Sequence, residues 1–159
     1  MRFASSVAAV AVLAAAAPGV SQAQTVPNLT GTWVLQLDKS DFGMMPGPQS
    51  RTDVIDHQEP KLTIKRTATS AAGETTASLV YEVDGKPYKN LVGPSEVTST
   101  LKWEGGILVM ASTISTPQGD VAITDRYTLS ADGQTLTQAR TLSLQGQEAS
   151  QTFVLAKQP

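Results

Sequence analysis

No cysteine occurs anywhere in the 159 residues, which excludes disulfides and a thiol nucleophile. Histidine is nearly absent too. His57 stands alone, and one imidazole does not supply the three or four ligands of a zinc site. Charge of one sign is lacking: 12 basic residues oppose 14 acidic ones, a net charge of −2 with no basic stripe. Nucleic acid and anionic membranes are therefore not expected as partners. Beyond the first two dozen residues there is no long apolar run, no window with a 3.6-residue apolar period, no internal repeat and no block of like charge. Helical spans and a second domain are thus not expected.

The one apolar run has a clear reading. Arg2 precedes an unbroken stretch from Val7 to Ala17; Pro18-Gly19 ends it, and Ser21-Gln22-Ala23 places small residues at −3 and −1 of a cleavage site. This is the pattern of a secretory signal peptide over residues 1–23, too short to span a bilayer. The expectation is a mature domain of residues 24–159, exported to a periplasm or the medium, without integral membrane association. An exported chain with no cysteine must rely on packing and sheet hydrogen bonds.

From Leu29 to Lys157 the chain alternates short segments rich in β-branched residues with turn signals. Ten strands are expected, at roughly 30–37, 51–57, 61–68, 75–83, 86–92, 95–104, 107–116, 120–130, 134–144 and 147–156. Such punctuation predicts an all-β fold: a single up-and-down antiparallel β-barrel. The turns fix register. Asp132-Gly133, read as a type I′ turn with positive φ at both positions, pairs Leu129 with Leu136, Tyr127 with Gln138, Asp125 with Arg140 and Ile123 with Leu142. Gln145-Gly146 pairs Arg140 with Gln151 and Gln138 with Phe153. Pro117-Gln118-Gly119, read as a three-residue loop, pairs Val109 with Tyr127 and Ala111 with Asp125. The long connection from Asp38 to Ser50 holds Phe42, Met44 and Met45 among prolines and glycines, and is expected to pack across a barrel mouth as a plug or a lid.

Leu29-Thr30-Gly31-Thr32-Trp33, followed by Lys39-Ser40-Asp41-Phe42, resembles the opening of the calycins, the lipocalin and fatty-acid-binding families. Asp84-Gly85-Lys86 and Lys102-Trp103-Glu104-Gly105 resemble hairpins of the fatty-acid-binding branch. The chain as a whole is similar to bacterial exported proteins of lipocalin-like type. The resemblance implies a calycin-like barrel of about ten strands with Trp33 as a structural residue at its closed end. Two departures stand out. A Pro/Gly loop occupies the place of the helical lid, and the last strand reads Thr152-Phe153-Val154-Leu155, without the Arg-x-Tyr pair that grips a fatty-acid carboxylate.

Among charged residues, Arg140 shares a face with Leu136, Leu142 and Leu144, so it points inward with them. An inward arginine can hold an anionic head group bidentately, assisted by Tyr127 and Gln138. The competing role is structural: Asp125, directly opposite, neutralises it, as a buried arginine requires. Arg66, on the face of Leu62 and Ile64, and Trp103, beside the Glu104-Gly105-Gly106 hairpin, complete the candidate ligand contacts. His57, near Asp53, Asp56 and Glu59, reads as a turn histidine capping backbone groups. No Gly-x-Ser-x-Gly elbow, P-loop or dinucleotide fingerprint occurs, so neither an enzyme nor a cofactor is expected.

Two functions follow. One is an exported module binding a hydrophobic or amphipathic small molecule in a cavity of several hundred Å³, the common size of such sites. The other is a structural or protein-interaction barrel filled by its own side chains.

Overall fold

The computed structural model describes residues 26–159; the signal peptide expected at residues 1–23 lies outside the described residues. Ten antiparallel strands follow one another: β1 (Gly31–Leu35), β2 (Ser50–Gln58), β3 (Lys61–Ser70), β4 (Gly73–Glu82), β5 (Pro87–Val92), β6 (Ser95–Glu104), β7 (Ile107–Thr116), β8 (Gly119–Leu129), β9 (Thr135–Leu144) and β10 (Gln147–Lys157). A single 3₁₀ turn, Leu37–Lys39, is the only helical element among the described residues. The sheet order β4-β3-β2-β1-β10-β9-β8-β7-β6-β5 is an up-and-down barrel in which β1 closes against β10. The alternation of β-branched and polar residues along each strand produces this fold, because successive side chains point to opposite faces.

The ring lacks one ladder, between β4 and β5. A side chain spans that seam. The Asn90 amide accepts from the Val80 N–H (2.9 Å) and donates to the Val80 carbonyl (3.2 Å). A primary amide carries the same donor and acceptor as a peptide group, so Asn90 stands in for one rung of the missing ladder.

One end of the barrel is closed by the chain entering it. Trp33 is fully buried, and its indole N–H donates to the Leu29 carbonyl (2.9 Å). The Gly-x-Trp spacing has a local reason: a Cβ on Gly31 would lie 2.6 Å from Cε of Lys157, whose ammonium sits 5.5 Å above the Trp33 ring. Leu29, Trp33, Leu62, Leu101, Leu108, Leu136 and Leu155 form the apolar floor. His57 is not in a turn as expected. It lies on the inward face of β2, buried, with Nδ1 accepting the Leu29 N–H (3.3 Å) and Nε2 against Glu59 (2.8 Å). The alternation Arg51, Asp53, Ile55, His57 continues one residue further than the turn signal of Pro60 suggests, and carries the imidazole inside.

The other end is covered by the segment after the 3₁₀ turn. Asp41 and Thr152 exchange two backbone hydrogen bonds (2.8 and 2.6 Å), and Phe42 packs on Phe153 with ring centroids 5.3 Å apart. Gly47 folds over Phe42 where a Cβ would meet the ring at 2.1 Å. Phe42 thus packs as expected, but Met44 is wholly exposed and Met45 about one-third exposed.

The register of β8 with β9 and of β9 with β10 is the one the turns imply, including Asp125 opposite Arg140 and Arg140 opposite Gln151. The Asp132-Gly133 turn reaches that register differently, since only Gly133 has positive φ (70°). The Gly133 N–H bonds the Ser130 carbonyl, and Ser130 N–H bonds the Thr135 carbonyl, which makes a longer loop of the same parity. Between β7 and β8 the expectation fails by one residue. Thr116 pairs with Gly119 around a two-residue turn, so Leu108 faces Tyr127 and Met110 faces Asp125, in place of Val109 and Ala111. Gly119 joins the ladder rather than bulging out of it, and a slip of one residue exchanges the faces of the strand. Leu108, Met110 and Ser112 therefore point inward.

Candidate binding site

Above the apolar floor the interior is ionic. Its arginines enter on inward-facing positions of β2, β3 and β9: Arg51, Arg66 and Arg140. Arg66 is the cross-strand partner of Asp53 and grips it through two parallel bonds, Nε to Oδ1 (2.8 Å) and Nη2 to Oδ2 (2.9 Å). Arg140 grips its own cross-strand partner, Asp125, in the same way (2.8 and 3.0 Å). Such fork-on-fork pairing is available to arginine and not to lysine. The seven lysines of the chain are indeed exposed, except for the half-buried Lys157.

Arg51 breaks the balance. Two positions from Asp53 on the same strand face, it shares that carboxylate with Arg66. It is 4% exposed. Arg51 and Arg140 flank the Phe153 ring, with guanidinium carbons 5.2 and 5.3 Å from its centroid. Among the described residues the interior thus holds three guanidiniums against two carboxylates; the bonds to carboxylate use Nε and Nη2, which leaves the Nη1 edge of Arg140 for another acceptor, while the Arg66 guanidinium also meets the Tyr127 hydroxyl.

These pairs dominate the local electrostatics. Burial opposes ionisation of Asp53, yet Arg66 and then Arg51 hold its carboxyl well below the usual range. Burial likewise works against the charge of Arg66 and Arg140, and their aspartates outweigh it, raising both. The phenols respond the other way: burial, with the nearby charge of Asp125, raises Tyr127, and burial pushes Tyr81 up to about 12. The interior is therefore one of fixed cations and neutral phenols across the physiological range.

A cavity of about 130 Å³ adjoins this cluster, lined by Arg66, Arg140, Asp125 and Tyr127 on one part of its wall and by Tyr81, Ser99, Ser112 and apolar side chains on the rest. It is smaller than the several hundred Å³ expected, because Tyr81, Tyr127, Phe153 and Met110 fill the barrel from within. On the far side of Arg66 and Arg140, a recess under Met45, Pro46 and Pro48 opens to solvent and reaches Arg51 and Phe153.

Four of the residues singled out in the sequence meet here: Arg66, Tyr127, Asp125 and Arg140 line the same cavity. Gln138 lies beneath them, donating to Asp125 (2.8 Å), with its own Oε1 buried and without a hydrogen-bond partner among the described residues. Trp103 is not brought to the cavity. Its indole N–H donates to Glu59 and its ring lies 5.8 Å from His57, at the closed end. Trp33 lies away from the cavity, fully buried at the closed end with its indole N–H on the Leu29 carbonyl. Sequence reasoning missed Arg51, Asp53, Tyr81, Ser99 and Ser112. The spacing Arg-x-Asp in a strand that continues Ile-x-His was the available signal for the first two.

No protein-family profile matches this chain, and no curated protein sequence matches it. Its similarity is to solved structures. A fatty-acid-binding protein of Manduca sexta superposes with a TM-score of 0.53 at 13% identity, over 80% of this chain and 98% of that one. The ileal bile-acid-binding protein of zebrafish, in complex with cholic acid, gives 0.55 at 18%, over 82% and 98%. An abundant heat-soluble (SAHS) protein of Ramazzottius varieornatus gives 0.59 at 12%, over 85% and 98%. The fold is therefore calycin-like, a ten-stranded barrel closed but for one seam, as the resemblance of the opening motif implied.

Proposed function

We propose that this protein is an exported binding module that holds an amphipathic small molecule in its barrel, the acidic group of the ligand meeting Arg66 and Arg140. The observation that carries this reading is the charge count of the interior. A guanidinium taken out of water without a counter-charge costs several kcal/mol, and Asp53 serves two arginines at once. An anionic occupant at Arg66 supplies charge to the cluster in which Arg51 and Arg66 share Asp53, guanidinium N–H groups not engaged by carboxylate supply its hydrogen bonds, and the apolar wall takes the rest of the molecule. The fold supports the reading, since two of the similar structures are named for binding fatty acid and bile acid. Export rests on the N-terminal pattern of Arg2 to Ala23. The role is one of holding rather than converting: the interior acids are committed to arginines, and His57 lies at the closed end among Leu29, Glu59 and Trp103.

The small cavity favours a second reading, a barrel filled by its own side chains that serves a structural or interaction role. Native mass spectrometry of the protein from its own host's envelope fraction separates the two. Binding predicts added mass that disappears on denaturation. The bare chain mass, together with no uptake of any added organic acid, would overturn binding in favour of the filled barrel.

A further inference from the structure

We infer that the occupant is compact: a monocarboxylate of about the size of a benzoate, carrying a second oxygen that is hydrogen-bonded at the Ser99–Ser112 pair. This rests on the binding reading above and narrows it to a substrate class.

Size comes first. The cavity measures about 130 Å³, well below the roughly 300–1,000 Å³ of sites that enclose drug-sized ligands. An engineered apolar cavity of about 150 Å³ in another protein takes benzene. A ring or a short branched chain fills such a space, whereas a long acyl chain or a steroid would have to extend out of it. The floor beneath offers no extension, because Leu101 and Leu108 are packed to full burial there.

The wall then limits the chemistry. Most of it is apolar, from Leu79, Val97, Met110 and Ile123, but Ser99 and Ser112 face each other across β6 and β7 with their oxygens 2.8 Å apart. They are 1% and 8% exposed, and the Tyr81 hydroxyl lies beside Ser99. Hydroxyls joined in an open row always leave one O–H proton over, whichever way the row is oriented. That remaining donor, in a wall with Arg66 and Arg140 elsewhere on it, suits a ligand oxygen. A carboxylate at the arginines and a hydroxyl or carbonyl oxygen at the serine pair would satisfy both polar features of the cavity. A compact hydrocarbon acid would satisfy only one.

Isothermal titration of the purified protein with benzoate, the three hydroxybenzoates and hexadecanoate tests this. The expected result is one-to-one binding of at least one hydroxybenzoate, about tenfold or more tighter than hexadecanoate and tighter than benzoate. Ser112→Ala should lower the preference for hydroxybenzoate over benzoate about fivefold. Ser99→Ala provides the same test should the first variant fold poorly. Arg140→Met should abolish binding of every acid in the set. Hexadecanoate binding tightest, in an Arg140-dependent manner, would overturn the compact ligand and leave the binding site standing. A preference unchanged in both serine variants would overturn the second oxygen. No Arg140-dependent binding of any acid would overturn the site itself and this inference with it.

Discussion

Replacing Arg140 by methionine keeps much of the side chain's volume and removes its charge, leaving Asp125 in the barrel without its fork. The side chains are 21% and 3% exposed, so this pair is closer to a buried ion pair than to a surface one. Breaking a buried pair from one side typically costs about 3–5 kcal/mol, since an uncompensated charge remains. Two features move the figure. Gln138 still donates to Asp125 at 2.8 Å, and the partial exposure of Arg140 screens part of the attraction. Loss of the contact with Phe153 adds roughly 0.5–1 kcal/mol. The expected net loss is about 2–3 kcal/mol, or roughly 6–12 °C in Tm for a domain of this size. Urea and thermal unfolding followed by far-ultraviolet circular dichroism would measure it. Adding Asp125→Asn should bring the double variant back to within about 1 kcal/mol of the parent, because a neutral amide beside Gln138 needs no counter-charge. A loss under about 0.5 kcal/mol for Arg140→Met, or a double variant no more stable than the single one, would refute the reasoning.

Further expectations follow from other parts of the barrel. Asn90→Ala removes both hydrogen bonds across the β4–β5 seam; the Val80 amide should exchange about tenfold faster with about 1 kcal/mol of stability lost, and unchanged Val80 protection would refute the bridging role. The Tyr81 phenol, raised to about 12, retains its proton in the folded state after it has lost it in the unfolded one, so stability should fall as pH rises above 10. This contribution is about 2–3 kcal/mol by pH 12, and Tyr81→Phe should flatten that limb of a pH–Tm profile. Asp53 is depressed, so its contribution is present above about pH 4 and fades as pH falls below it; Asp53→Asn should be destabilising near neutrality and show a flatter acid limb. The β7–β8 register predicts that a thiol at Ala111→Cys labels rapidly while one at Ser112→Cys is protected, and the reverse order would restore the register implied by a three-residue loop.

The strands were legible because a half-buried sheet writes a period of two into its sequence and glycine-bearing turns separate the segments. The β8–β9 register survived a misread turn at Asp132-Gly133, because loops of equal parity pair the same residues. The β7–β8 register did not survive, because Pro117-Gln118-Gly119 is compatible with two loop lengths and the flanking residues, Val109 and Met110, are both apolar. That slip hid Ser112, and with it half of the cavity's polar wall. The Asp125–Arg140 pair could be found because its register was fixed at two turns. The second pair, Asp53–Arg66, was obscured by the cluster of acids around His57, which drew Asp53 into a different pattern. Cavity size depends on how Tyr81, Tyr127, Phe153 and Met110 divide the interior, and no local pattern in the chain specifies that division.

The central claim is that the buried guanidiniums form an anion site, and nitrogen-15 NMR of the arginine side chains tests it most directly. Arg51, Arg66 and Arg140 should show Nε–H signals protected from exchange, unlike the exposed Arg126. Titrating benzoate and the hydroxybenzoates should shift Arg66 and Arg140 with saturation while Arg126 stays in place. Shifts confined to Arg126, or interior signals unmoved by every acid, would contradict the account.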